Sequence, residues 1–235
     1  MEEKELKTST KQRIFIGLIA VVMLGSVIAG YVAIVLSGNN SSSENEIDQA
    51  MIERYSVEYN TKLAEFHETA ASDFATFKEY MGEVRTYDED AANEGGVKSR
   101  DLLEGTGKTL EEGDTNYLAY YVGFCADGSV FDSSLDNTSE PTAFNKALDA
   151  SLGMIEGWNA GVVGMKLGGV RKITIPGELA YGDKMEICGG FNKPLRFLVM
   201  AVANEDPLKT VASEVDKAYM KLQYAYYGID YDEQM

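Results

Sequence analysis

Seven short stretches decide the fold: Tyr120-Tyr121-Val122-Gly123, Asp127-Gly128-Ser129-Val130-Phe131-Asp132-Ser133-Ser134, Met154-Ile155-Glu156-Gly157-Trp158-Asn159, Gly164-Met165-Lys166-Leu167-Gly168-Gly169, Arg171-Lys172-Ile173-Thr174-Ile175-Pro176, Leu179-Ala180-Tyr181-Gly182 and Leu195-Arg196-Phe197. Around them the apolar period is two and turn signals are frequent, which predicts strands over Tyr117 to Phe124, Val130 to Ser133, Gly169 to Ile175 and Leu195 to Val202. Asp127-Gly128 marks a turn between the first two. One short helix fits Gly157 to Met165. Several strands with a single helix against them predict an α+β unit, an antiparallel sheet with one face covered.

Outward from this core the chain changes character. Acidic residues number 38 against 21 basic, a net charge of −17. That balance opposes nucleic-acid binding, which needs a basic face to displace counterions, and opposes docking of the globular part on anionic lipids. Ile14 to Leu36 carries no charge and is long enough as a helix to cross a hydrocarbon core of about 30 Å. Lys11 and Arg13 precede it and no basic residue follows before Arg54, so the positive-inside rule places residues 1–13 in the cytoplasm and the remainder outside. A cleaved signal peptide is the alternative; its apolar core is shorter, and Ile34-Val35-Leu36 is a poor cleavage context. The expectation is an uncleaved, single-pass signal anchor over residues 14–36, followed by a polar linker over 37–43.

Residues 44–86 read as one long amphipathic helix. Ile52, Tyr55, Tyr59, Leu63, Phe66, Ala70, Phe74, Phe77, Met81 and Val84 recur every three or four positions, and Ser43 with Glu46 fits a capping box. Such a stripe must bury itself against its own chain or against a second copy, so a homodimer through the helices stands as the alternative to internal packing. Thr86 to Gly96 reads as an acidic linker closing on Gly95-Gly96. Asp206-Pro207 opens a second amphipathic helix over 206–228, with Leu208, Val211, Val215, Tyr219, Leu222 and Tyr226 on one face. His67, the single histidine, falls off the stripe and reads as a surface residue, which leaves no Ser/His/Asp triad and no metal site. Gly161 to Gly169 lacks the Gly-Lys-Ser/Thr ending of a phosphate loop, and no cofactor is expected.

The ordered set of motifs resembles the FK506-binding protein (FKBP) family of peptidyl-prolyl cis–trans isomerases, over residues 96–204. The resemblance implies a curved antiparallel sheet wrapped around a short helix, and an activity on X–Pro bonds that needs no nucleophile, metal or proton relay. It implies roles residue by residue. Tyr121, Phe131, Trp158, Tyr181 and Phe197 match the family's aromatic pocket, with Trp158 as its floor. Met154 and Ile155 match an aliphatic edge where the backbone N–H of Ile155 meets a substrate carbonyl. Asp132 matches the carboxylate that orients the pocket, and the Tyr181 hydroxyl a second donor to ligand. Phe144 matches an aromatic beyond the loop that follows and reads as core. Taken singly, each aromatic would be read as core; the joint pattern points to a pocket.

The family's apolar Ile-Pro-Pro stretch is replaced here by Glu186 to Pro194, so one wall is rebuilt, with Ile187 or Phe191 in place of the missing aliphatic contact. In the family fold the strands beside Cys125 and Cys188 are antiparallel neighbours, which implies a Cys125–Cys188 disulfide beside the pocket if the domain lies outside the membrane. The partners expected are proline-containing or nascent extracytoplasmic polypeptides and the membrane through one helix, with no nucleic acid. A chaperone or peptide-binding scaffold with little isomerase activity is the alternative function.

Overall fold

The structure, a computed structural model, describes residues 49–83, 85–205 and 207–232. The expected membrane helix 14–36, the linker 37–43, the capping box at Ser43 and Glu46, and Val84 and Asp206 lie outside the described residues. No helix among the described residues is long and apolar enough to cross a membrane. In chain order the elements are α1 (Gln49–Lys78), α2 (Glu89–Asn93), β1 (Lys98–Leu103), β2 (Tyr117–Phe124), β3 (Val130–Ser133), β4 (Leu148–Asp149), α3 (Glu156–Val162), β5 (Val170–Ile175), β6 (Leu195–Ala203) and α4 (Leu208–Tyr226).

The sheet runs β1-β5-β6-β2-β3 with β4 also pairing β2, and every pairing is antiparallel. Strand β2, Tyr-Leu-Ala-Tyr-Tyr-Val-Gly-Phe, has no polar alternation because both of its faces are covered. Tyr117, Ala119 and Tyr121 join Ile173, Ile175, Leu195, Phe197, Val199 and Ala201 in a core closed by Trp158 and Val162 of α3. Helix α3 can lie on β5 because Gly157 and Gly161 face it. A Cβ would stand 2.1 Å from Ile175 Cγ2 at Gly157 and 2.4 Å from Ile173 Cγ2 at Gly161.

Leu118, Tyr120, Val122 and Phe124 point the other way, with Leu198, Met200 and Val202, into a second core. That core is closed by Phe66, Ala70, Phe74, Phe77 and Met81 of the N-terminal helical segment and by Ala212 and Val215 of α4. At its centre the Phe144 ring stacks on Tyr120 at 3.9 Å and receives the edges of Phe74 (5.2 Å) and Phe77 (5.3 Å). Helix α1 therefore packs on its own chain. It also packs on α4 through Tyr59 and Tyr219 (5.8 Å) and the ion pair Lys221–Glu58 (2.9 Å). Beyond them Arg54 binds Asp230 (2.8 Å), which ties the chain after α4 to the first turns of α1.

Three expectations are corrected. The long helix, expected to run to residue 86, ends at Lys78: Tyr80 and Glu83 close i→i+3 bonds, and Met81–Glu83 is a 3-10 turn. The segment Thr86 to Gly96 is no free linker, since it holds α2, capped by Asp88, whose side chain accepts from Ala91 N (2.7 Å). It is fastened to the sheet by the Tyr87 hydroxyl, which donates to the carbonyls of Phe124 (3.0 Å) and Pro194 (2.8 Å), and by Gly177 N–H to Asn93 Oδ1 (2.9 Å). A five-residue helix is too short to leave an apolar period in the sequence. His67 is half-buried rather than exposed, with Nε2 buried and without a hydrogen-bond partner. Strand β1 has no expected counterpart, because Lys-Ser-Arg-Asp-Leu-Leu is a polar edge strand.

Candidate active site

The site grows from β2, β3, β6 and the start of α3. Register places Gly123 opposite both Asp132 of β3 and Phe197 of β6. A Cβ at Gly123 would lie 2.5 Å from Phe131 Cζ and 3.0 Å from Phe197 Cε1, so the bare backbone there is what admits two rings side by side. Their centroids are 5.5 Å apart, edge to face at 82°. Trp158 meets Phe197 at 5.3 Å and Tyr121 at 5.8 Å, both edge to face, and Tyr121 lies 6.4 Å from Phe197. The indole is 3 % exposed, and its N–H donates to the Tyr117 hydroxyl at 3.0 Å, which fixes the ring's tilt. Phe131, Met154, Ile155 and Tyr181 pack on this cluster while half-exposed, and so form its rim.

One wall carries charge. The Tyr121 hydroxyl donates to Asp132 Oδ2, and Asp132 Oδ1 accepts from Ser133 N (2.8 Å) and from Lys146 Nζ (3.1 Å). The Lys146 ammonium also stands 5.5 Å over the Tyr121 ring. Burial first, then the Asp132 charge, holds the Tyr121 phenol well above its ordinary range. The same two causes push Tyr181 up to about 12. Both phenols are thus neutral donors at any physiological pH. The Tyr181 hydroxyl and the Ile155 N–H, at the cap of α3, donate to no acceptor among the described residues. An apolar cluster with two free donors at its exposed edge suits a neutral, carbonyl-rich chain segment.

The profile of the FKBP-type peptidyl-prolyl cis-trans isomerase family matches residues 107–200. An FK506-binding protein of Neisseria meningitidis serogroup B is 42% identical over 91 residues, covering 37% of this chain and 76% of that protein. Its serogroup A counterpart is 38% identical over 111 residues, covering 46% of this chain and 93% of that protein. The chain belongs to the FKBP-type peptidyl-prolyl cis-trans isomerase family. Among solved structures, FkpA from Escherichia coli is 29% identical, covering 75% of this chain and 79% of that one, with a TM-score of 0.36; at that score the likeness carries no argument about arrangement.

Within this isomerase the structure brings together Tyr121, Phe131, Asp132, Met154, Ile155, Trp158, Tyr181 and Phe197. Of the two residues expected to rebuild the missing wall, Ile187 packs into the pocket cluster at 5 % exposure. Phe191 does not: it is 55 % exposed and outside the cluster. The backbone explains the difference. Ile187 and Gly190 bond to each other as a tight turn, and Asn192, at φ 52°, bonds back to the Gly182 carbonyl (2.8 Å). Phe191 falls where the chain reverses outward. The expected disulfide is present, joining Cys125 after β2 to Cys188 in that turn with Cα atoms 5.4 Å apart. Phe144, expected as core, is fully buried on the far face of the sheet.

Sequence reading missed Lys146, Tyr117 and Ser134. Ser134 is fully buried, and its hydroxyl accepts the Tyr121 backbone N–H (3.2 Å). Lys146 had a faint signal: β4 pairs Leu148 with Ala119, and continuing that register by two brings residue 146 opposite Tyr121. That inference needs the two-residue strand β4, which no pattern in the sequence marks.

Proposed function

We propose that this chain is a membrane-anchored isomerase of X–Pro bonds in polypeptides outside the cytoplasm, acting by non-covalent stabilisation of the twisted amide. Rotation about the bond faces about 18–20 kcal/mol of lost resonance, while the two end states differ by only about 0.5–1 kcal/mol. What is needed is a surface that binds the twisted amide better than the planar one. A planar amide is the more polar form, so desolvation against the apolar cluster around Trp158 would cost it more than the twisted form. Phe131, Phe197 and Tyr121 would hold the flat pyrrolidine ring, and Met154 the residue beside it. The Ile155 N–H and the Tyr181 hydroxyl would take substrate carbonyls. Asp132, oriented by Tyr121 and Lys146, would face the carbonyl whose conjugation is broken. Topology rests on Lys11 and Arg13 before the apolar run.

The observation that carries this reading is the joint geometry of the three edge-to-face pairs Tyr121–Trp158, Trp158–Phe197 and Phe131–Phe197 with the Tyr121–Asp132 hydrogen bond beside them. The test is NMR exchange between cis and trans forms of a Leu-Pro peptide with the full chain in neutral detergent. Exchange well above the uncatalysed rate, lost in Asp132→Val/Tyr181→Phe, supports it; a folded protein that does not accelerate exchange refutes it. The rebuilt loop 186–194 supports a second reading, a peptide-binding scaffold with little activity. That reading predicts saturable peptide binding without accelerated exchange.

A further inference from the structure

On the sheet face opposite the pocket, a protein of net charge −17 gathers three cations. Lys172 of β5 stands directly across from Arg100 of β1, and Arg196 of β6 pairs with Thr174, two residues along. Strand alternation places all three away from Ile173 and Phe197, on the face that carries Val170 and Leu198. Like charges directly opposite in a sheet repel each other, and a bound anion would relieve that repulsion.

Their partners do not discharge them. Arg100 reaches Glu83 at 3.8 Å, with both side chains more than half exposed. Arg196 finds neutral groups, the Thr174 hydroxyl (3.0 Å), the Thr86 carbonyl (3.1 Å) and the Tyr87 ring at 4.3 Å. The Lys172 ammonium makes no hydrogen bond or ion pair among the described residues. Burial, then the charges of Arg100 and Arg196, lower its ammonium pKa from the ordinary value, against the pull of Glu83. We propose that Arg100, Lys172 and Arg196 form a docking site for a short acidic segment of a polypeptide, on the face of the sheet opposite the isomerase pocket.

The extent of the patch selects the occupant. Three neighbouring strands at about 4.8 Å spacing span about 10 Å, and an extended peptide advances about 3.3 Å per residue, so two or three carboxylates fill the patch. A nucleic acid or an anionic bilayer presents charge along a far longer front and would meet the acidic remainder of the molecule.

The experiment uses the full chain in neutral detergent and low salt, with fluorescently labelled peptides that contain three consecutive glutamates or, in their place, three glutamines. Anisotropy should show at least tenfold tighter binding of the glutamate peptide, and Arg100→Gln/Lys172→Gln should abolish that preference. The variant's circular dichroism and its exchange of an uncharged Leu-Pro peptide should match wild type, which separates this site from the pocket. Equal binding of the two peptides, or a preference that survives in the variant, overturns the proposal. So does binding of detergent-dispersed, fluorescent short-chain phosphatidylglycerol that depends on Lys172 without any glutamate preference, which would assign the patch to a membrane.

Discussion

Replacing both Cys125 and Cys188 by alanine removes the cross-link that pins the turn carrying Ile187 beside the pocket. The two residues are 63 apart in sequence, and in the chain-entropy model a loop of that length restricts the unfolded chain by about 14 cal/mol/K, or about 4 kcal/mol at 25 °C. Little of this should be recovered by relaxation. The turn is also held by Asn192 N–H to the Gly182 carbonyl and by Lys193–Glu89 (2.7 Å), so the native loop keeps its place without the bridge. The effect therefore falls on the unfolded state. With a urea dependence of about 3 kcal/mol per molar, the unfolding midpoint should drop by roughly 1.3 M, with the slope rising slightly as the unfolded chain expands. Urea unfolding followed by Trp158 fluorescence measures both. The isomerase rate in the absence of urea should fall less than threefold, because Ile187 remains buried. A midpoint shift under about 0.3 M would refute the entropic account, and a collapse of activity with little change in midpoint would show that the bridge holds the pocket wall itself.

Four further outcomes are expected. Lys146→Met should lower kcat/KM about tenfold, the order of one charge-assisted hydrogen bond on Asp132, with Lys146→Arg restoring most of it; peptide exchange kinetics decide. Tyr117→Phe strands the buried Trp158 N–H and should cost about 1–3 kcal/mol in calorimetric stability, with peptide affinity reduced as the indole tilts. Phe144→Ala should cost about 3–5 kcal/mol and raise amide exchange in α1 and α4 together, since four aromatic rings meet there. Tyr181 has a folded pKa raised to about 12, so its contribution to stability is complete below pH 10 and is lost between pH 10 and about 12; absorbance titration at alkaline pH should lose one late-titrating phenol in Tyr181→Phe, and activity should be flat from pH 6 to 9 as far as the two phenols govern it.

Much of the sheet was legible because its inner strands are either apolar throughout, as Tyr117 to Phe124 is, or alternate with a period of two, as residues 172–175 do. Tyr117 to Phe124 and Val130 to Ser133 were read with their observed bounds, and the other two strands to within a residue. Strand β1 was not, since an edge strand with solvent on both sides carries no apolar period. The aromatic cluster was legible through its ordered motifs, but its charged neighbour was not: Lys146 reaches Asp132 across a two-residue strand whose pairing is a tertiary fact. Phe191 misled because hydrophobicity says nothing of direction. Its outward turn is set by backbone bonds at Ile187, Gly190 and Asn192, two of them beside residues at positive φ.

The double-sided burial of β2 changes what counts as a separable piece. A fragment cut to the family match, residues 107–200, would carry every ring of the candidate site and still expose Leu118, Tyr120, Val122, Phe124, Leu198 and Met200 to water. A contiguous apolar patch of that kind on a soluble monomer is an aggregation liability. In this chain the helices before and after the isomerase are its second half in folding terms, and any transplant of its activity into another protein has to carry them along.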